Sequence, residues 1–245
     1  MEMMSMKRVA IVTGGTRGIG EAISVGLRDA GMTVAATYLG NDERARDFTE
    51  RTGIVAFKWD VADHDACQVG CQQLIQSLGR IDVLVNNAGI TRDSTILKMT
   101  AQMWKEVMET NLGGCFNMAK AVFPGMRERK WGRIVNIGSI NGQAGQYGQV
   151  NYCAAKAGIQ GFTKALAQEG ARAGVTVNTI APGYINTEMV LAVPSEALKQ
   201  IVARVPVQRL GEPEEIARAV TFLCAEDAGF LTGSTLTVNG GLYLQ

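Results

Sequence analysis

VAIVTGGTRGIG, running from Val9 to Gly20, specifies the architecture of this chain more than any other segment. Its first four residues are apolar, as in a buried strand, and an amphipathic helical pattern from Glu21 to Ala30 follows. Gly14, Gly18 and Gly20 let the backbone turn sharply between the two elements, and amides at the start of the helix can then face a pyrophosphate. The spacing is GxxxGxG rather than GxGxxG, so this segment by itself is weak evidence for dinucleotide binding.

Short apolar segments alternate with longer amphipathic segments along the 245 residues. The predicted strands are Arg8–Thr13, Thr33–Thr37, Val55–Lys58, Val83–Asn86, Gly132–Ile137, Thr176–Ile180 and Thr235–Val238. The predicted helices are Gly18–Ala30, Asn41–Thr52, Asp63–Leu78, Ala101–Glu128, Asn151–Ala173, Ser195–Ala203 and Pro213–Ala225. This alternation predicts an α/β fold with a doubly wound, Rossmann-type parallel sheet covered by helices on both faces. We expect residues 1–245 to form one dinucleotide-binding and catalytic domain.

Composition indicates an ordinary globular protein, with 47 % hydrophobic and 19 % charged residues. The net charge of +1 gives no electrostatic basis for a nucleic-acid or membrane partner. No apolar run approaches the ~20 residues of a membrane span. The start, MEMMSMKRVAIVTGG, lacks a signal-peptide cleavage region, and the odd count of five cysteines favours reduced thiols. We therefore expect a cytoplasmic protein.

Two of the cysteines also suggest a candidate metal site. His64, Cys67 and Cys71 share one predicted helical face, but no fourth ligand and no CxxC pair accompany them. We expect no bound metal.

A second informative segment is GSINGQAGQYGQVNYCAAK, from Gly138 to Lys156. Tyr152 and Lys156 stand four residues apart, so on a helix they share one face. An ammonium group beside a phenol favours the ionised phenol, which can then exchange a proton with a reacting oxygen. A carbonyl undergoing reduction needs such a proton. YxxxK alone also fits an ordinary helix, so the other segments must support this interpretation.

The polar segments follow the ends of different strands. The glycine turn follows the first predicted strand, Asp60 the third, Asn87 to Gly89 the fourth, Ser139 the fifth and Pro182 the sixth. Ligands of open parallel sheets lie beyond the carboxyl ends of the strands. These segments should therefore meet at one edge of the sheet.

Taken together, the motifs resemble those of the short-chain dehydrogenase/reductase family. The family pattern of TGxxxGxG, NNAG, an asparagine, a serine and YxxxK reads here as Thr13–Gly20, Asn86–Gly89, Asn111, Ser139 and Tyr152–Lys156. The similarity continues through PGYINT at Pro182–Thr187 and VNGG at Val238–Gly241, so it covers nearly the whole chain. It implies an oxidoreductase that uses a nicotinamide cofactor.

The resemblance implies four catalytic residues, Asn111, Ser139, Tyr152 and Lys156. Tyr152 would protonate the substrate oxygen, and Ser139 would donate a hydrogen bond to the same oxygen. Lys156 would promote ionisation of the phenol and hold the nicotinamide ribose. Asn111 would support a water relay to the lysine.

Cofactor contacts are implied in several segments. The residues are Gly14, Gly15, Arg17, Gly18, Ile19, Gly20, Asp60, Val61, Asn87, Ala88, Gly89, Tyr152, Lys156, Pro182, Gly183, Ile185 and Thr187. Thr187 resembles the position that binds the nicotinamide carboxamide. Asp60 would bind the adenine amine, or alternatively cap the helix that begins near Asp63.

The expected cofactor is NADPH. An NAD site usually ends its second strand in a carboxylate, whereas this strand ends ATYLG. Arg17 can reach the same region and pair with a 2′-phosphate. Asp42 and Glu43 follow a few residues later and weaken this choice. Arg44 is a second candidate for the phosphate, or else part of a solvated helix face.

The expected substrate is acetoacetyl-CoA. NNAGITRDSTILKM resembles the β-ketoacyl thioester reductases, and SINGQAGQYGQVNY looks most like the acetoacetyl-CoA reductases of polyhydroxybutyrate synthesis. This resemblance implies reduction to (R)-3-hydroxybutyryl-CoA. The predicted substrate residues are Asp93, Lys98, Ser139, Gln146, Tyr147, Gln149, Tyr152 and Tyr184.

Three other functions compete with this one. The first is a 3-oxoacyl carrier-protein reductase of fatty-acid synthesis, and the second is a sugar or polyol dehydrogenase, which the missing strand-end carboxylate disfavours. The third is an NADPH-binding sensor without catalysis, although all four catalytic residues are present. Family resemblance also implies a homotetramer, with the two longest predicted helices packing across subunits.

Overall fold

A seven-stranded parallel sheet lies at the centre of the molecule. The computed structural model describes residues 7–244, apart from the side chain of Met189. The strands are β1 (Val9–Val12), β2 (Thr33–Tyr38), β3 (Val55–Lys58), β4 (Val83–Asn86), β5 (Gly132–Ile137), β6 (Val175–Pro182) and β7 (Thr235–Val238). They are ordered β3-β2-β1-β4-β5-β6-β7, and all six pairings are parallel. The strand order reverses between β1 and β4, which opens a crevice at their carboxyl ends.

Helices cover both faces of this sheet. They are α1 (Gly18–Asp29), α2 (Asp42–Thr52), α3 (His64–Leu78), α4 (Ala101–Val107), α5 (Gly114–Glu128), α6 (Asn141–Ala144), α7 (Val150–Ala171), α8 (Glu188–Leu191), α9 (Ser195–Arg204) and α10 (Pro213–Cys224). A π-helical turn, Met108–Gly113, joins α4 to α5 without a break. Among the helices of residues 7–244, none combines the length and apolarity needed to cross a bilayer.

The predicted fold class is confirmed, and each predicted strand agrees with the observed one to within two residues at either end. The predicted helix Ala101–Glu128 is interrupted by the π turn. Two elements, α6 and α8, were not predicted, because four residues are too few to show helical periodicity.

Successive side chains along a strand point to opposite faces of the sheet, so the sheet has a hydrophobic core on each face. Ala10 and Val12 of β1 face the core formed with α1, α2 and α10, whereas Ile11 faces the core formed with α3, α5 and α7. Phe48 in the first core and Met118 in the second are fully buried. A sheet that is apolar on both faces leaves its strand ends as the place for polar chemistry.

A buried carboxylate joins the amino-terminal ends of β1 and β4. Asp82 Oδ2 accepts the N–H of Val9 at 3.0 Å, and its other oxygen accepts from Arg80 at 2.7 Å. The polar groups at this edge therefore satisfy one another and hold β1 beside β4.

A tight contact between α3 and the residue after β3 yields a stability prediction. A Cβ on Gly70 would lie between 2.7 and 2.9 Å from three ring atoms of Trp59. Gly70→Ala should therefore lower the free energy of unfolding by ~1–3 kcal/mol, despite the better helix propensity of alanine. The control is Gly26→Ala in α1, where a Cβ meets Ala217 at an ordinary 3.4 Å. Urea unfolding followed by circular dichroism should show the control equal to or more stable than wild type. Equal stability of the two variants would contradict the close packing of Gly70 against Trp59.

Candidate active site

Gly15 and Gly20, in the turn between β1 and α1, have no room for a side chain. A Cβ on Gly20 would overlap the carbonyl oxygen of Gly14 and lie 2.6 Å from Asn87 Nδ2. Gly14 and Gly18 have φ angles of 59° and 52°, a region that favours glycine. Helix α1 begins at Gly18 without a side-chain cap, so its first amides can face an anion. The turn therefore fits a pyrophosphate group.

A threonine hydroxyl joins this turn to the NNAG segment. Thr13 Oγ1 accepts the N–H groups of Asn87 and Ala88, each at 3.0 Å. In return, Asn87 Nδ2 donates to the carbonyl oxygens of Thr13 and Gly14 at 2.9 and 3.1 Å. Two segments more than 70 residues apart are thus held together.

Asp60 and Val61 follow β3 at the same edge. Asp60 Oδ1 accepts the N–H of Ala62 at 2.8 Å. The cap of α3 is Asp63, whose carboxylate accepts from Ala66, so the alternative helix-cap role for Asp60 is wrong. Its contact with adenine stays a prediction.

Asn111 and Lys156 both lie directly against Gly89 of the NNAG segment. A Cβ on Gly89 would be 3.2 Å from Asn111 Oδ1 and 3.7 Å from Lys156 Nζ. Asn111, fully buried in the π turn, accepts the N–H of Ile90 at 2.8 Å and donates to its carbonyl at 3.0 Å. Lys156 Nζ donates to the carbonyl of Ile137 at 2.7 Å. Both side chains are therefore held in fixed positions.

Tyr152 and Lys156 share a face of α7, and the ammonium lies 5.6 Å from the centroid of the tyrosine ring. Lys156 is buried while Tyr152 is half-buried, so the phenol is the more accessible of the two. Ser139 follows β5, and the turn after it packs on α7, since a Cβ on Gly142 would lie 2.7 Å from the Lys156 carbonyl carbon. The structure thus brings the four predicted catalytic residues to one edge, while their roles stay predictions.

The segment after β6 lies over the glycine turn. Thr187 Cγ2 would be 3.6 Å from a Cβ on Gly18, and Thr187 Oγ1 donates to the carbonyl of the buried Ile185 at 3.3 Å. Pro182 ends β6, and Gly183 packs too closely on the chain after β7 to accept a side chain. The predicted nicotinamide end of the site is therefore adjacent to the predicted phosphate end.

Two arginines and one glutamate flank this crevice. Arg17 is exposed beside the glycine turn, while Arg44 of α2 donates to both carboxylate oxygens of Glu188, at 2.8 Å in one case. The hydrogen bond from Arg44 holds the pKa of Glu188 below its usual value, and the charge of Arg17 adds to this effect. The nearest carboxylate after β2, Asp42, instead bonds Lys58. Positive charge therefore lies where a 2′-phosphate is predicted.

A family model described as enoyl-(acyl carrier protein) reductase, adh_short_C2, matches residues 14–243. The chain belongs to the short-chain dehydrogenase/reductase family. The predicted resemblance is confirmed, and membership implies an oxidoreductase with a nicotinamide cofactor.

Relatives match over almost the full length of both chains. An acetoacetyl-CoA reductase of Paracoccus denitrificans is 64% identical over 240 residues, covering 97% of this chain and 99% of the relative. An acetoacetyl-CoA reductase of Rhizobium meliloti (strain 1021) is 61% identical over 239 residues with the same coverage. A 3-oxoacyl-(acyl-carrier-protein) reductase FabG of Haemophilus influenzae is 44% identical over 250 residues, again covering 97% and 99%.

The predicted substrate residues lie in several different loops and differ in exposure. Asp93 and Gln149 contact each other, with Gln149 Nε2 donating to Asp93 Oδ2 at 2.9 Å. Gln146 and Tyr147 are exposed in the loop before α7, and Tyr147 is 87% exposed. Two more predicted residues are Lys98, exposed after β4, and Tyr184, half-buried after β6. Substrate contact stays a prediction for all of them.

Sequence reasoning missed two residues that shape this reductase site. Asn151 is fully buried, and its Nδ2 donates to the carbonyls of Arg92 and Met103 at 3.0 and 3.3 Å. Its place directly before Tyr152 was a usable signal. Glu188 was also missed, and its pairing with Arg44 across 144 residues has no local signature.

The cysteines are free thiols, and burial raises the pKa of Cys67 and Cys71 to about 12. His64 is exposed and stacks on Phe116, with ring centroids 6.1 Å apart. Within the described part of the chain, no three or more His, Cys, Asp or Glu side chains are grouped to hold a metal ion. Buried thiols of this kind suit packing.

Proposed function

We propose that this protein reduces acetoacetyl-CoA to (R)-3-hydroxybutyryl-CoA with NADPH, in one catalytic domain. The observation that carries the proposal is the grouping of Ser139, Tyr152, Lys156 and Asn111 at the sheet edge that also bears the glycine turn. The relatives from Rhizobium meliloti and Paracoccus denitrificans are acetoacetyl-CoA reductases, which supports the choice of substrate.

Ketone reduction needs a hydride at carbon and a proton at oxygen. The nicotinamide cofactor, when bound, supplies the hydride. Tyr152 gives its hydroxyl proton to the substrate oxygen. Ser139 donates a hydrogen bond to the same oxygen and stabilises its developing negative charge. Lys156, enclosed beside the tyrosine ring, stabilises the phenolate that remains.

The proton that Tyr152 loses must be replaced before the next turnover. Lys156 is buried next to Asn111, because both side chains lie against Gly89. We assign Asn111 to support a water relay that reaches this lysine. Its two hydrogen bonds to Ile90 fix it for that task.

The first test is a tyrosine substitution. Tyr152→Phe removes the proton donor, so kcat for acetoacetyl-CoA should fall by about 10²–10⁴, measured from the loss of NADPH absorbance. Tyr243→Phe, at the far end of the chain, is the matched control and should retain wild-type turnover. An unchanged kcat in Tyr152→Phe would exclude the tyrosine as the donor.

The same assay separates the competing functions. Higher kcat/KM on acetoacetyl carrier protein than on acetoacetyl-CoA would favour the fatty-acid enzyme, and turnover of crotonyl-CoA would indicate an enoyl reductase. Faster oxidation of a polyol with NAD would revive the sugar dehydrogenase. NADPH binding without turnover of any ketone would identify a sensor.

NADPH is the proposed cofactor because of the charges around the crevice. Arg44 donates to both carboxylate oxygens of Glu188, and the pKa of this carboxyl is lowered first by that hydrogen bond and further by the charge of Arg17. A 2′-phosphate between the arginines would take the place of the Glu188 carboxylate, since both are anions with acceptor oxygens. We propose that Glu188 holds Arg44 in place in the free enzyme, and that the 2′-phosphate replaces Glu188 as the partner of Arg44 when NADPH binds.

Substitutions at these positions test the cofactor. Arg44→Leu should raise KM for NADPH by about tenfold, equivalent to ~1.4 kcal/mol, while KM for NADH stays within about twofold because NADH lacks the phosphate. Glu188→Gln should lower KM for NADPH, because it frees the arginine. The control, Arg51→Leu, removes a guanidinium two turns away that is already bound by Glu21 and Asp47. Preference of the wild type for NADH would refute the proposal.

We further propose a homotetramer located in the cytoplasm. Trp104 of α4 and Phe116 of α5 are 40% and 51% exposed, which suits burial against another copy. Free thiols suit a reducing compartment.

Light scattering tests this assembly. Wild type should have four times the 26.2 kDa mass of one chain. Phe116→Glu should shift it to a smaller species, because a charge would be buried at the contact. The control Val55→Glu changes an exposed residue of the edge strand β3 and should stay tetrameric. A monomeric wild type would refute the proposal.

A further inference from the structure

Helix α5 packs directly against the segment after β3 at which adenine is predicted to bind. Asn117 is buried, and its Nδ2 donates to the carbonyl oxygen of Val61 at 2.9 Å. Three residues earlier on the same helix face, a Cβ on Gly114 would lie 2.9 Å from Val61 Cγ2 and 3.2 Å from Val61 Cβ. Asn117 therefore holds the carbonyl group of Val61, and Gly114 leaves room for its side chain.

The Val61 carbonyl is also connected to the carboxylate of Asp60. Asp60 Oδ1 accepts the N–H of Ala62 at 2.8 Å. This N–H and the carbonyl of Val61 belong to one planar peptide group, so the two turn together. The bond from Asn117 thus orients the peptide whose N–H holds the carboxylate for which adenine contact is predicted.

The two ends of the Asn117 amide have different partners. A carbonyl oxygen can only accept, so the NH₂ group must face Val61 and the amide oxygen must face His64 Nδ1, 3.2 Å away. His64 is exposed, whereas the bond to Val61 is buried. Substitutions can therefore remove one partner of Asn117 at a time.

Adenine recognition at Asp60 depends on the exact position of this segment. A carboxylate accepts hydrogen bonds and can bind the 6-amine of adenine. Because one oxygen of Asp60 is used by Ala62, the other is left for the ligand. A hydrogen bond weakens steeply with distance and angle, so a shift of about one ångström in the segment would lose the amine.

We propose that Asn117 and Gly114 are positioning residues for the adenine end of the cofactor site. They hold Val61, and through its peptide group Asp60, where the carboxylate meets the adenine amine. The inference rests on the cofactor binding of the proposed function and on the predicted contact of Asp60 with adenine.

Binding of adenosine 2′,5′-bisphosphate to the enzyme without cofactor tests this role in the absence of catalysis. Asn117→Leu keeps a side chain of similar size but leaves the Val61 carbonyl only the weak thiol donor of Cys67, at 3.5 Å. The Kd from isothermal titration calorimetry should rise by about tenfold. Gly114→Ala displaces the Val61 side chain and should raise Kd by a similar factor. Wild-type Kd in both variants overturns the proposal.

The matched controls change neighbours of these two residues. Gly113→Ala adds a methyl group where a Cβ meets the Met108 carbonyl oxygen at an ordinary 3.6 Å. His64→Leu removes the partner of the Asn117 oxygen and leaves the NH₂ bond to Val61 in place. Both controls should bind adenosine 2′,5′-bisphosphate within about twofold of wild type. A tenfold loss in both controls overturns the proposal, because the effect would not depend on Val61.

A cofactor analogue separates positioning from a general loss of stability. Deamino-NADPH carries hypoxanthine, which has a carbonyl oxygen in place of the adenine amine, so wild type should bind NADPH at least about tenfold more tightly. In Asn117→Leu and Gly114→Ala this ratio should fall below about threefold, because Asp60 no longer meets the amine. An unchanged ratio in both variants, or a wild type that does not distinguish the two cofactors, overturns the proposal.

Thermal melts should show each variant folded at the assay temperature, and Gly114→Ala decides the test if Asn117→Leu does not fold. At saturating NADPH, kcat of the folded variants should stay within about twofold of wild type, because the change is confined to the adenine end. A wild type that binds neither adenosine 2′,5′-bisphosphate nor NADPH overturns the proposed function and this inference together. A wild type that binds NADPH and reduces acetoacetyl-CoA, with both variants binding equally well, overturns the inference alone.

Discussion

The hydroxyl of Thr13 holds together the two strands at which the sheet order reverses. It accepts the N–H groups of Asn87 and Ala88, and Asn87 returns two bonds to the glycine turn. Because Gly89 follows Ala88 and lies against both Asn111 and Lys156, the same attachment places the predicted catalytic residues beside the predicted phosphate turn. The hydroxyl thus extends the parallel pairing of β1 with β4 to the carboxyl ends of the strands, where the crevice opens.

The two ends of the crevice are built from different chemistry. At the cofactor end, guanidinium groups and the Glu188 carboxylate interact by charge, so an anionic ligand can exchange for a protein group. At the substrate end, the amides of Asn141 and Gln149 and the Asp93 carboxylate are joined by directional hydrogen bonds. Charge suits capture of a phosphate from solvent, whereas the directional bonds hold the loop after β4 against the start of α7.

The strands, the parallel sheet and the edge at which the motifs meet could be predicted from the sequence, because strand periodicity and glycine turns are local signals. What could not be predicted depends on distant pairing. Arg44 reads equally well as a solvated helix residue until Glu188, 144 positions later, is seen to face it. Gln149 bonds Asp93 and Asn141 in two other segments, which its local sequence does not reveal, and its substrate contact stays a prediction. The N-cap of α3 is Asp63 and not Asp60, which the sequence alone does not distinguish because both carboxylates lie just before the helix.

The π turn at Met108–Gly113 accommodates one residue more than a regular helix would at this place. Because the extra residue is taken up inside the turn, the helix on either side keeps the faces that a regular α-helix would present. Met118 and Val122 therefore face the core under the sheet with or without it. The packing of α5 gives no reason to keep the wider turn, whereas the wider turn contains Asn111, whose side chain bonds both the N–H and the carbonyl of Ile90, so the site accounts for the irregular backbone better than the core does.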